Sequence, residues 1–156
     1  FDIYNTLKYI TDEKTGIEDK DKILLQISLH GVQWIKGITY EGEEDVWMTT
    51  PSLDLIKFRM EKQLEKNDLQ IEYSKKFESP CLKYYNEELE TENIIWYEDE
   101  RSIKAKINLA KLFDIKGISV WRLGNIPNYD EEYDEKIYLN IWNLIQEEYK
   151  EEDKLK

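Results

Sequence analysis

Few residue types in this chain can do chemistry, and most are quickly disposed of. It has 156 residues, with a single histidine, His30, and a single cysteine, Cys81. A structural or catalytic zinc site needs several nitrogen and sulfur ligands together, so one of each holds no metal. A lone thiol also excludes an internal disulfide. Among the 34 Asp and Glu residues are two dense stretches, Glu41 to Asp45 and Asp130 to Asp134. Neither has the spacing of a calcium loop of the EF-hand type, so calcium is rejected and the carboxylates are read as solvated surface. No cofactor is implied. What remains is aromatic: 5 Trp, 11 Tyr and 4 Phe, flat and largely apolar surfaces of the kind that bind rigid ligands.

The positioning elements follow from apolar spacing. Ile3, Leu7 and Ile10 predict a helix over 1–10, stopped by Thr15 and Gly16. Lys22 to Gly31 starts as a continuous apolar run and ends alternating, as a largely buried strand does. Next, Ile38 to Tyr40 predicts a short strand before the acidic turn at Glu41 to Asp45. Pro51 and Ser52 open a helix carrying Leu53, Ile56, Met60 and Leu64. Leu69, Ile71 and Tyr73 alternate as a half-buried strand, and Leu82 to Tyr85 and Asn93 to Tyr97 read as two more. Ile103, Ile107 and Ala110 predict a helix ending near Phe113, capped by Asp99, with Arg101 and Ser102 structural. Ile118 to Leu123 is a short apolar strand closed by Gly124. Ile137, Ile141, Leu144 and Ile145 mark a last helix, and the charged tail from Glu147 is expected to fray.

The outer thirds therefore read helix, strand, helix, strand, helix around a central α+β unit. That is the grammar of an α/β protein with a parallel sheet, interrupted once. A net charge of −12 argues against nucleic acid and against a polybasic membrane contact, and the aromatic content argues against disorder. No apolar run reaches the ~18 residues of a membrane span. The chain begins at Phe1 without a methionine or a signal-type segment, which suggests a processed form, an engineered piece or a fragment.

Two stretches carry a resemblance. One runs from Asp21 to Trp34. The other combines Ile95-Trp96-Tyr97-Glu98-Asp99, Arg101-Ser102 and Gly117-Ile118-Ser119-Val120-Trp121-Arg122-Leu123-Gly124. Together they resemble the closing part of glycoside hydrolase family 18, the chitinase-like (β/α)8 barrels, and most of all its bacterial spore-cortex and LysM-associated branch. The resemblance implies a partial TIM barrel, its last strands and helices, with an inserted small α+β domain. Residues 1–36 would be the helix and seventh strand, 37–95 the insertion, 96–150 the helix, eighth strand and last helix, and 151–156 a tail. A complete barrel needs ~250 residues. The family's catalytic signature, D-x-x-D-x-D-x-E, is absent: the nearest approach, Asp19-Lys20-Asp21, has Gly16 and Ile23 where two of the acids should stand. No catalytic residue is assigned.

The resemblance further implies a partner and roles. The partner is an N-acetylglucosamine-containing polysaccharide, chitin or peptidoglycan, in an extracellular, cell-wall or spore-associated setting. Trp121 matches the family tryptophan that floors the sugar site, against the alternative of a plug in the barrel end. Trp34 stands either to stack on a sugar or to pack in the insertion. His30, where the family has tyrosine, is a polar sugar contact or, the preferred reading, a strand-end histidine with no task. Trp47 and Trp96 are expected in packing, and Trp142 in the core or facing the barrel. A non-catalytic carbohydrate-binding module is the alternative to a hydrolase part. Both barrel strands, apolar on both faces, would each have a bare edge, to be filled by the missing barrel half or a second copy.

Overall fold

In the computed structural model, which describes residues 2–128 and 136–153, the apolar spacing near the N-terminus becomes helix α1, Ile3–Ile10. Asp2 caps it by accepting from the Asn5 N–H at 2.8 Å, and Leu7 turns inward. After a single 3-10 turn at Lys20–Lys22 comes β1, Leu24–Ser28. Its one strand partner among the described residues is β7, Gly117–Trp121, parallel to it, with Leu25 beside Ile118, Ile27 beside Val120 and Ser28 beside Trp121.

Between β1 and β7 stands a five-stranded antiparallel sheet. It is built from β2 (Val32–Ile38), β3 (Glu44–Thr49), β4 (Gln70–Ser74), β5 (Ser79–Asn86) and β6 (Thr91–Trp96), in the order β3-β2-β6-β5-β4. Helix α2, Leu53–Glu65, covers one face of it, with Ser52 as its N-cap. Helix α3, Glu100–Leu112, leads into β7, and α4, Ile141–Asp153, ends the described chain.

One core joins the two sheets. Ile27 and Leu29 from β1 and its exit pack with Leu53, Ile56 and Met60 of α2, Leu82 and Ile95 of the large sheet, Ile103 and Ile107 of α3, and Ile141 of α4, each 2% exposed or less. The chain leaves β1 through Gly31 at close quarters. A Cβ there would lie 2.7 Å from Ile56 Cδ1 and 3.0 Å from the Trp96 carbonyl oxygen, so only glycine fits without displacing the core. Cys81 is buried on β5, and that burial pushes its thiol pKa up.

Asp99 is fully buried at the start of α3. Its carboxylate accepts from the Ser102 N–H at 2.9 Å and from the Arg101 guanidinium at 2.8 and 2.6 Å, while Ser102 Oγ accepts from the Asp99 N–H. The Arg101 guanidinium is in turn held between the rings of Tyr73 and Tyr138, 4.4 Å from each centroid. A cap required by one helix thus ties β4, α3 and the approach to α4 together.

Several expectations need correction. The strand placed at Ile38 to Tyr40 is Val32–Ile38, with Thr39 and Tyr40 beyond its end. Glu44 and Asp45, read as turn, begin β3. Ile137 is buried but stands before the last helix, because Tyr138 adopts φ 54° and breaks the helical path. The tail does not fray from Glu147: α4 continues to Asp153, and Glu148 bridges Lys104 at 2.8 Å and Lys111 at 3.2 Å on α3. Trp142 is 48% exposed rather than core, since Ile141 takes the inward position and the next residue points ~100° away around the helix. Asp130 to Asp134 lie outside the described residues.

Two outcomes follow. Asp99→Ala removes a helix cap and a buried counter-charge, and should cost about 2–3 kcal/mol in chemical denaturation. The Glu148 carboxyl is held below its ordinary value of 4.5, first by hydrogen bonding to Lys104 and also by Lys111. A depressed carboxylate stabilises the fold above its unfolded pKa and loses that contribution as the pH falls through the folded one. Glu148→Gln should therefore cost about 0.5–1 kcal/mol at neutral pH, because the lysines are partly exposed, and the gap to the parent should close as the pH drops below 4.5.

Candidate functional site

Side chains that are neighbours across β1 and β7 share a face, and the two faces of this pair differ. Leu25, Ile27, Ile118 and Val120 turn toward the core. On the other face Leu24, Gln26 and Ser28 are exposed, with Ser119 and Trp121 beside them. The strands were expected to be apolar on both faces. Three of these five open positions are instead uncharged and polar, so this face suits a wetted, hydrogen-bonding contact better than a dry interface.

Trp121 ends β7 on that open face and is 58% exposed. Its carbonyl accepts from the Leu29 N–H at 2.7 Å, which locks the ends of the two strands together. The next peptide, Trp121–Arg122, is cis. Beyond it a 3-10 turn, Leu123–Asn125, brings Asn125 back to His30: the amide nitrogen lies 2.9 Å from Nε2 and 3.1 Å from Nδ1 of the imidazole. His30 also forms an isolated bridge with Ser52 at the start of α2. It is thereby fixed by a side chain on one side and a backbone on the other.

The structure thus gathers Trp121, Ser28, His30 and Asn125 at the C-terminal ends of two parallel strands, where ligand sites of α/β sheets form. It leaves Trp34 elsewhere. That residue is 47% exposed in the five-stranded sheet, paired with Met48 of β3 and Ile94 of β6, on the face opposite Gln33. Trp34 is not in the insertion core. Trp96 does pack, edge-on against Phe77 with ring centroids 5.7 Å apart. Beyond the end of β7 a groove of about 420 Å3 is lined by Leu123, Ile126, Pro127, Leu139 and Trp142. The residues at the strand ends offer an aromatic platform, an imidazole, an amide and a hydroxyl. None is a carboxylate, so the cluster can bind and orient but has no acid of its own for hydrolysis.

Sequence reasoning missed Asn125, a 4% exposed polar residue whose partner lies 95 positions away, and it missed the exposure of Trp142 and Trp47. The turn-forming Leu-Gly-Asn after the strand was the only local signal for Asn125.

No family model matches the chain. It is 31% identical over 104 residues to the cortical fragment-lytic enzyme of Bacillus subtilis (strain 168), a match over 67% of this chain and 22% of that one. Among solved structures it is similar to the Bacillus cereus spore cortex-lytic enzyme SleL, with a TM-score of 0.61 and 23% identity over 93% of this chain and 29% of the other. It is also similar to a chitinase from Trichuris suis, with a TM-score of 0.53 and 20% identity over 85% and 37% of the two chains. The chain spans about a fifth to a quarter of the length of the first curated relatives it matches. Its mixed α/β fold is that of part of these chitinase-like proteins.

Proposed function

We propose that this chain is the closing part of a glycoside hydrolase family 18-like barrel that acts on N-acetylglucosamine polymers, chitin or peptidoglycan, in a cell-wall or spore setting. In this reading α1 and β1 supply the seventh strand and its helix, α3, β7 and α4 supply the end of the barrel, and the five-stranded sheet with α2 is the insertion. The observation that carries it is Trp121: a half-exposed indole on the open face of a parallel pair, at the C-terminal end of its strand, with the His30–Asn125 pair beside it. The kinship with a protein named for lysing cortical fragments supports the substrate class.

Trp121 is the floor for a pyranose ring, whose apolar face a flat indole covers at little entropic cost. His30, held by Asn125, is a polar contact at the rim, and Trp34 offers a separate aromatic surface on the insertion. The edges of β1 and β7 left unpaired among the described residues accept the remaining barrel strands, or a second copy in their absence. The chain contributes walls of a cleft and no general acid, because the sequence D-x-x-D-x-D-x-E occurs nowhere in it. Family chemistry of this type lies outside the two-carboxylate scheme and still requires that acid.

Two measurements test the reading. The purified 156-residue chain should show no turnover of chito-oligosaccharide or peptidoglycan; release of reducing ends at a rate that purification does not remove would overturn it. Within a polypeptide that carries the whole barrel, Trp121→Ala should weaken oligosaccharide binding by about 1–3 kcal/mol with the fold intact by circular dichroism. Unchanged affinity would return Trp121 to a purely structural role, and a protein that never binds the sugar would favour a structural module.

A further inference from the structure

The five-stranded sheet has a second aromatic feature, on the face that looks toward α2. Trp47 of β3 pairs with Ile35 of β2, so its indole lies on the opposite side of the sheet from Trp34. It lies over Gly37: a Cβ at that glycine would come within 3.2 Å of Trp47 Cη2 and 2.7 Å of Thr91 Cγ2. The absence of a side chain at Gly37 lets the ring settle against the sheet, and 40% of the residue remains exposed.

Alongside Trp47 a groove of about 760 Å3 runs between the sheet and α2, within the ~300–1,000 Å3 span of small-ligand sites. Its walls include Leu55, Phe58 and Arg59 of α2. It opens toward the end of the sheet where β2 stops at Ile38 and β5 turns into β6, away from the β1 junction. Gln33 and Asn93 line it, and they are 1% and 4% exposed. Gln33 Nε2 donates to Asn93 Oδ1 at 2.8 Å, and Asn93 Nδ2 donates to the carbonyl and hydroxyl of Thr91. Gln33 Oε1 accepts from Thr49 Oγ1 at 3.2 Å and from the Arg59 guanidinium. These side chains are fixed before any ligand arrives.

Buried amides in so small a unit are costly compared with an apolar filling of the same volume. The fold already has an apolar core one turn of α2 away, at Ile56 and Met60. The charges that line the groove are largely answered from within: Lys66 stands 3.7 Å from Glu87, and Lys62 stands 2.9 Å from Glu65. That leaves a site of flat aromatic surface, rigid amides and one guanidinium, which has five N–H donors in all. This is the chemistry that recognises an uncharged sugar: an apolar ring face for the indole, and hydroxyl and acetamido oxygens for the donors.

We infer that the groove between α2 and the five-stranded sheet is a second saccharide site, with Trp47 as its platform and Arg59 as its principal donor, separate from the strand-end cluster at Trp121. The choice of an N-acetylhexosamine chain rests on the glycan reading of the strand-end cluster, whereas the site itself does not.

The test is calorimetric titration of the full 156-residue chain with tetra-N-acetylchitotetraose, repeated on Trp47→Ala, Arg59→Lys and Trp121→Ala, each checked for fold by circular dichroism. Trp47→Ala should weaken the groove site at least about tenfold, and Arg59→Lys, which keeps the charge but not the planar fork, should weaken it without altering the spectrum. Trp121→Ala should leave that site untouched. Binding that neither groove variant changes overturns the inference, whatever Trp121→Ala does. Binding lost through Trp47 but indifferent to Trp121 sustains the groove, and the strand-end reading then stands or falls by its own test in the whole barrel. Absence of any heat with the unaltered chain at millimolar sugar overturns the groove as a site for this class. If Trp47→Ala does not fold, Arg59→Lys alone decides by the same criterion.

Discussion

Parallel strands cannot be joined by a turn. The chain must travel the full length of the pair before it can run alongside itself again. Here β1 and β7 are such a pair, and everything from Gly31 to Lys116 is the return path. A helix would suffice for that purpose, and α3 is one. The chain instead builds a complete antiparallel sheet and α2 before reaching α3. The return can be that long because loop closure grows expensive only slowly with length, and because the excursion comes home well anchored. Trp96, at its end, pairs with Val32, at its beginning, and the buried Asp99 cap starts α3 directly afterwards. What the detour adds is surface at the C-terminal ends of the parallel strands and beyond them.

The elements that could be read from the sequence were those whose burial follows a simple period. Leu53, Ile56 and Met60 behave as a helix stripe should, and each is fully buried. Asp99 with Ser102 three residues later announces a capping arrangement, and forms one. Trp121 at the end of an apolar strand before Gly124 stands out by type and place. The strands that were misplaced break the usual rule. In β2 the glutamine at 33 is buried while Trp34 and Ile38 are exposed, an inverted alternation that hydropathy cannot register. All of β3 is exposed, as an edge strand can be, so its charges at Glu44 and Asp45 look like a turn. The His30–Asn125 pair and the Trp47 groove are products of tertiary approach, and nothing local marks them.

Most charges of both signs stand at the surface, and only a few ion pairs are covered. Lys106 meets Glu98 at 2.7 Å with both side chains largely covered, and Ser102 donates to the same Glu98 oxygen. Arg101 is stacked, paired and only about one-third exposed. Exposed pairs such as Lys62 with Glu65 contribute little to stability. Of the covered ones, Lys57 with Glu61 lies on α2, and Arg101 with Asp99 and Lys106 with Glu98 lie around the start of α3, where the excursion rejoins the parallel pair.

The core shared by the two sheets has a consequence for how the molecule comes apart. Leu29 from the exit of β1, Leu53 and Ile56 from α2 and Ile95 from the large sheet belong to one contiguous cluster, so the two sheets are not filled separately, while a smaller cluster of Leu7, Ile23, Ala110 and Ile115 shares Ile118 with it. Two sheets of different construction, which would pass for two domains by topology, share one melting event. Damage to either is felt by both, and a substitution that loosens α2 also softens the strand ends at Trp121, far along the chain, through packing alone.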